Sequence, residues 1–239
     1  MSLLHTDQPS HDVTRGVAPL ETGDRLSRAE FERRYDAMPD LKKAELIGGV
    51  VYMPSPVRQR DHGRQHVILS SWLGYYVSKT PGVDPGDNST IRLDDQNEPQ
   101  PDLLLRLPES AGGRSRISTD GYVEGPVELV AEVASSSVSL DLHLKRDMYR
   151  VHGIREYLVW RVKDAALDWF VLRGGSYEAL KSDEQGILKS EIFPGLWLDP
   201  GALFEFDLPR LFKILESGAG TPEHAAFVDR LKKSSNSPA

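Results

Sequence analysis

Two short apolar runs, each carrying acids, limit the fold of this 239-residue chain more than any other feature. One is Asp102–Leu107, which follows Pro101, and the other is Val127–Ala134, with Glu128 and Glu132 inside it. Nearly continuous apolar runs of this length suit central strands covered on both faces of a sheet. A carboxylate inside such a strand is costly unless it is paired or binds a metal. Side chains alternate along a strand, so Glu128 shares a face with Glu132 and reads as a further supporting acid or as an exposed strand end. Asp102, at a strand start, reads equally well as a turn or cap residue. Placed side by side, the two strands can bring Asp102 and Glu132 to one cation. Mg²⁺ takes one or two carboxylates plus waters and phosphate oxygens, which is what phosphodiester hydrolysis needs.

The rest of the chain supplies the layers around such a sheet. Ser27 and Glu30 form a capping-box pattern, with Leu26 and Phe31 as a staple, so a helix is expected to start there and end before Pro39. Glu45–Met53 holds two apolar runs around Gly48-Gly49, a hairpin signal, and Pro54 and Pro56 stop its second strand. A helix is expected from about Arg60 to Lys79, with Val67, Leu69, Trp72, Leu73, Tyr76 and Val77 on its apolar face. Residues 108–126 read as a long surface loop. A helix then runs from Ser139 or Asp141 to Gly153, followed by strands at 156–162, 167–172 and 176–180, a segment at 187–198 broken by Pro194-Gly195, and helices at 208–215 and 223–232. The pattern is mixed α/β, a central sheet with a helix crossing between strands. Residues 1–24 read as a flexible arm, 25–215 as the domain, and 216–239 as a C-terminal helix and disordered tail.

Composition narrows the chemistry. There are no cysteines, which excludes disulfides, thiolate catalysis and cysteine-ligated metals. No apolar run nears the roughly 18 residues that span a bilayer, and the N-terminus lacks a secretory signal, so a cytoplasmic protein with no membrane partner is expected. The net charge of −7 speaks against a broad non-specific nucleic-acid binder. It leaves a nuclease open, because a carboxylate metal site is itself acidic.

Five motifs stand in a particular order: Glu45-Leu46-Ile47-Gly48-Gly49; Pro101-Asp102-Leu103; Val130-Ala131-Glu132-Val133; Asp141 with Lys145, Arg146 and Tyr149; and Gly153-Ile154-Arg155-Glu156-Tyr157. Over roughly residues 25–205 this order resembles the Uma-type putative restriction endonuclease family of the PD-(D/E)XK nuclease superfamily. The resemblance implies a restriction-endonuclease-like core with an N-terminal helix and hairpin, and Asp102 and Glu132 as ligands of Mg²⁺ or Mn²⁺. It also implies that Glu45 supports the metal or a water in its shell, and that DNA is the substrate. The superfamily pattern puts a lysine two positions after the acid, where this chain has Ala134. In this family the lysine comes from the following helix, which makes it Lys145, assisting the attacking water or the charge that builds on phosphate. Taken alone, Lys145 equally suits a surface salt bridge with Asp141, four residues before it. Tyr149 shares that stripe or serves packing.

Other candidates carry plainer readings. His62 and His66 have metal-ligand spacing but lack the zinc-protease glutamate, so they read as the polar face of a helix, with His66 open to a substrate contact. Arg58, Arg60, Arg64, Arg114, Arg116, Arg146 and Arg150 either line a phosphate-binding cleft or are scattered solvated charge. Ser135-Ser136-Ser137 read as turn and cap residues. Two functions follow: a Mg²⁺-dependent DNA endonuclease, or a catalytically inactive interaction or DNA-binding module on the same fold, which the acidic balance and the missing Glu-x-Lys triplet favour. Cutting two strands would call for a homodimer, although no coiled coil or apolar interface motif marks one.

Overall fold

The computed structural model describes residues 16–53 and 62–235. The arm before residue 16, Pro54, Pro56, Arg58, Arg60 and the last four residues lie outside it. Helix α1 (Arg28–Asp36) starts where expected, with Ser27 Oγ accepting from the Glu30 amide at 3.4 Å. Strands β1 (Glu45–Ile47) and β2 (Val50–Tyr52) form the hairpin. Gly48 and Gly49 both have positive φ, 59° and 74°, which a two-residue hairpin turn of this hand requires. Phe31 of α1 packs with Ala44, Leu46 and Val51. Leu20 joins this cluster, and the Gly23 amide donates to Val51 O, so the segment read as the end of a flexible arm is docked on the hairpin.

Helix α2 (Arg64–Lys79) leads to β3 (Asp84–Asp87), β4 (Ile91–Arg92) and β5 (Leu103–Arg106). The expected loop at 108–126 contains two short strands, β6 (Arg116–Ile117) and β7 (Val123–Glu124), which form a small sheet with β4. The acid-bearing run becomes β8 (Leu129–Ala134). The crossover that follows is a π-helical turn, Leu140–Lys145, continued by α3 (Arg146–Val151). Then come β9 (Glu156–Arg161), β10 (Ala166–Arg173), β11 (Ser176–Ala179), β12 (Leu188–Lys189), β13 (Trp197–Leu198), α4 (Pro200–Glu205), α5 (Leu208–Ala219) and α6 (Pro222–Ser235).

Among the described residues the main sheet has six strands in the order β11-β10-β9-β8-β5-β3, antiparallel except for the parallel pair β8–β9. The central runs are buried throughout, as their composition requires. One face sets Leu103, Leu105, Leu129, Ala131, Val133, Leu158 and Trp160 against Trp72 and Tyr76 of α2, Leu211 and Leu215 of α5, and Phe227 and Leu231 of α6. The other face sets Leu104, Val130, Ala134 and Val159 against Met148 and Tyr149 of the crossover. By alternation Glu132 belongs to this second face, under the crossover. Helix α6 runs to Ser235, past residue 232, where the helix is expected to end. No helix among the described residues is long and apolar enough to cross a membrane.

Candidate active site

Glu45, Asp102, Glu132 and Lys145 come together from four elements. Leu46 pairs through its backbone with Glu98, and Asn97 Oδ1 accepts from the Gly48 amide at 2.8 Å. That pairing lays the hairpin along the segment leading to Asp102. As a result Glu45 Oε1 takes the Gln100 amide at 2.9 Å. Strands β5 and β8 are in register Leu103↔Ala131, so Asp102 lies opposite the Glu132 end of β8. Asp102 Oδ2 accepts from the Val133 amide at 2.8 Å, and the Asp102 amide points to Glu132 Oε2 at 3.4 Å. The two carboxylates therefore bracket the same turn of the sheet.

The crossover brings the cation. Lys145 Nζ stands 2.9 Å from Glu132 Oε1, 2.9 Å from Glu45 Oε1 and 3.7 Å from Asp141 Oδ1. All four residues are buried. The Asp141–Lys145 pair, read as an alternative surface salt bridge, is thus internal. Its i, i+4 spacing falls inside the π-helical turn, which faces the sheet. Ser137 Oγ donates to Asp141 Oδ2 at 2.6 Å, and Tyr149 OH lies 3.4 Å from Glu132 Oε1. Ser139, a candidate cap, makes no side-chain capping bond.

Two residues join the site that sequence reasoning passed over. His62 Nε2 donates to Asp102 Oδ2 at 3.1 Å, and Lys43 Nζ lies 3.5 Å from Asp102 Oδ1. His62, expected on the polar face of a helix, has His66 as its i, i+4 partner; His66 Nε2 lies 2.9 Å from Asp87 Oδ1 and 3.4 Å from the Asp102 carbonyl oxygen. Lys43 carries one usable signal, its position two residues before Glu45, the first residue of β1.

The arginine candidates are held separately. Arg64 stacks on Phe206, Arg114 donates to Gly153 O, Arg116 pairs with Glu124, Arg146 lies over Phe170, and Arg150 pairs with Asp147. Glu128 accepts from the Leu107 amide at 2.7 Å and lies 3.9 Å from Arg114.

The electrostatics split the two central acids. Burial, helped by the charges of Asp102 and Asp141, pushes Glu132 up to about 8 although Lys145 pulls the other way. Burial would raise Asp102 as well, but the His62 hydrogen bond, Lys43 and the Val133 amide outweigh it and hold the carboxyl well below the usual range. Burial also opposes the charge on Lys145, and Glu132, Glu45 and Asp141 overcome it, so the ammonium is held charged. Neighbouring carboxyls with pKa values driven apart are a common feature of sites that move protons.

The donor set suits a hard cation. Four buried carboxylates, Glu45, Asp102, Glu132 and Asp141, face two lysines, Lys43 and Lys145. The cluster offers crowded oxygen ligands, and the upward push on Glu132 marks a place where a proton or a cation relieves that crowding. Among the described residues no three His, Asp or Glu side chains form a ready-made metal cage. Mg²⁺ does not need one, since one or two carboxylates with waters suffice.

The family model described as "Putative restriction endonuclease" (Uma2) matches residues 28–201. No curated protein matches the chain. Among solved structures, the chain is similar to a protein from Anabaena variabilis ATCC 29413 described as a "putative nuclease belonging to DUF820", with a TM-score of 0.55 and 13% identity, over 73% of this chain and 97% of that one. At that identity the likeness concerns the fold, and it agrees with the restriction-endonuclease-like core implied by the motifs.

Proposed function

Since the chain belongs to the Uma2 family, whose members are described as restriction endonucleases of putative status, we propose that it is a metal-dependent endonuclease hydrolysing phosphodiester bonds of DNA. The observation that carries this reading is the buried Glu45–Asp102–Glu132–Lys145 cluster, which lies within the matched residues. Asp102 and Glu132 would hold Mg²⁺, or Mn²⁺ in its place. Bound there, such an ion supplies a Lewis acid for the phosphoryl oxygen and makes a water more acidic.

The chain's own groups do the rest. Asp102 is kept ionised by His62 and Lys43, ready as a ligand. Lys145 bonds Glu132 Oε1 and Glu45 Oε1 together, fixing both carboxylates with one ammonium. Its charge, buried beside the two carboxylates, orients the attacking water or offsets the negative charge that grows during attack. Glu45 supports that water or the metal's shell. The lysine comes from the crossover because position 134 is Ala134, packed in the core under α3. Cutting both strands of a duplex takes two such sites, so a homodimer is part of the proposal.

Plasmid cleavage in Mg²⁺ or Mn²⁺ tests this. Wild type should nick or linearise the plasmid, and Asp102→Ala and Glu132→Ala should each lose roughly 10²-fold or more in rate, the usual scale for removing a main electrostatic contributor. Undiminished cleavage by both variants would sink the mechanism. DNA binding without cleavage by wild type would favour the non-catalytic module.

A further inference from the structure

We propose that Lys43 is the residue that touches the scissile phosphate, while Lys145 assists from behind the carboxylates without touching it; this rests on the nuclease reading above. The two lysines of the cluster occupy opposite situations. The Lys145 side chain is 4% exposed and has three carboxylate oxygens around its ammonium, at 2.9, 2.9 and 3.7 Å. Two of the ammonium's three donors are engaged at 2.9 Å, and the third faces the buried Asp141 carboxylate at 3.7 Å. A substrate oxygen could reach it only by displacing a buried acid, which would leave that acid uncompensated.

Lys43 is arranged differently. Its side chain is 21% exposed, and its ion pair with Asp102 Oδ1 is 3.5 Å long, outside the range of a strong hydrogen bond. The other oxygen of that carboxylate, Oδ2, is held by the Val133 amide and His62. Lys43 therefore stands on the open side of Asp102 with donors to spare. Its backbone is fixed: Ala44, next to it, is packed in the cluster under α1, and Glu45, one step further, is tied to Gln100 and Lys145. The result is a held backbone carrying a partly exposed ammonium beside a carboxylate proposed to bind metal. A compact point charge of that kind is a common phosphate ligand. In a chain of net charge −7, a cation at this place also offsets the repulsion that an approaching phosphate would meet.

The test is duplex binding followed by fluorescence anisotropy in EDTA over a salt series, paired with cleavage rates in Mg²⁺. Lys42 is exposed and adjacent, so Lys42→Met controls for loss of charge alone. Lys43→Met should weaken binding and flatten the slope of log K against log salt by about 0.9, the value of one phosphate contact. It should also lower the cleavage rate by about 10²-fold, the scale of one lost electrostatic contact to the transition state. Lys43→Arg should restore the slope, and Lys42→Met should leave the cleavage rate unchanged. Equal slope changes in Lys42→Met and Lys43→Met would overturn the proposal, and so would a flattened slope in Lys43→Met with an unchanged cleavage rate. Duplex binding by wild type with no cleavage in Mg²⁺ would overturn the nuclease reading and the scissile contact with it, while a slope effect specific to Lys43 would still mark a phosphate site.

Discussion

On the parallel strands β8 and β9, Glu132 and Glu156 are both buried, and they are compensated in opposite ways. Glu156 accepts from Ser190 Oγ at 2.8 Å, the Glu191 amide at 2.7 Å and the Ile192 amide at 3.2 Å. It is a brace: a hydroxyl and two amides close a loop over the strand start. Glu132 shares a lysine with Glu45 and stands beside Asp102, so its surroundings are charged. Burial is the largest cause of the upward shift in both, to about 7 for Glu156 and about 8 for Glu132. Burial and a raised pKa thus do not separate a structural acid from a site acid; the chemistry of the compensating groups does. Neutral donors can satisfy a carboxylate for good, whereas a cluster of like charges stays poised for a cation.

The largest effect that would sharpen this contrast is on stability. Lys145→Met leaves Glu45, Glu132 and Asp141 crowded without their cation and should cost about 3–5 kcal/mol in urea unfolding. Breaking the exposed Arg173–Glu178 pair should leave the urea midpoint nearly unchanged, because solvent screens it. A loss below 1 kcal/mol for Lys145→Met would mean that the cluster is not charged as described.

Next in size is pH. The folded pKa of Glu156, about 7, lies above its ordinary 4.5. The unfolded chain therefore ionises first as pH rises. Stability contributed by Glu156 is complete below about pH 4.5, falls as pH rises through 7 and stays lost above that, a change on the order of 3 kcal/mol. Glu156→Gln should flatten this part of the pH–stability curve. Glu132 adds its own fall up to about 8. Mg²⁺ should suppress only the Glu132 part, because a cation replaces the proton there and not at Glu156. Identical curves with and without Mg²⁺ would erase the distinction between the two glutamates.

The contrast was only partly legible in the sequence. β5 and β8 could be read because Leu103–Leu105 and Leu129–Ala131 are apolar on both parities, a signature of a buried strand. β3 could not, since Asp84-Pro85-Gly86-Asp87 has no such pattern. It is an edge strand, where a proline is tolerated and pairing with Leu103–Arg106 supplies the order. Leu20 was likewise silent, one apolar residue in a polar segment with no period to mark it. The site divides in the same way. Asp102 and Glu132 stood out because they interrupt apolar strands, while Lys43 and His62 lie outside any apolar pattern and reach Asp102 only through the tertiary fold. Nothing local marks Glu156 as a braced acid, because its loop partners at 190–192 are more than thirty positions away.

The most direct test of the central claim, that Asp102 and Glu132 form a cation site and Glu156 does not, is thermal unfolding in Mg²⁺ and Mn²⁺ for wild type, Asp102→Asn, Glu132→Gln and Glu156→Gln. At about 100 times the dissociation constant, a bound ion stabilises by about 2.7 kcal/mol. Wild type and Glu156→Gln should show the same rise in Tm, and Asp102→Asn and Glu132→Gln should show none. A metal-dependent rise that survives in both Asp102→Asn and Glu132→Gln, or that is lost only in Glu156→Gln, would contradict it.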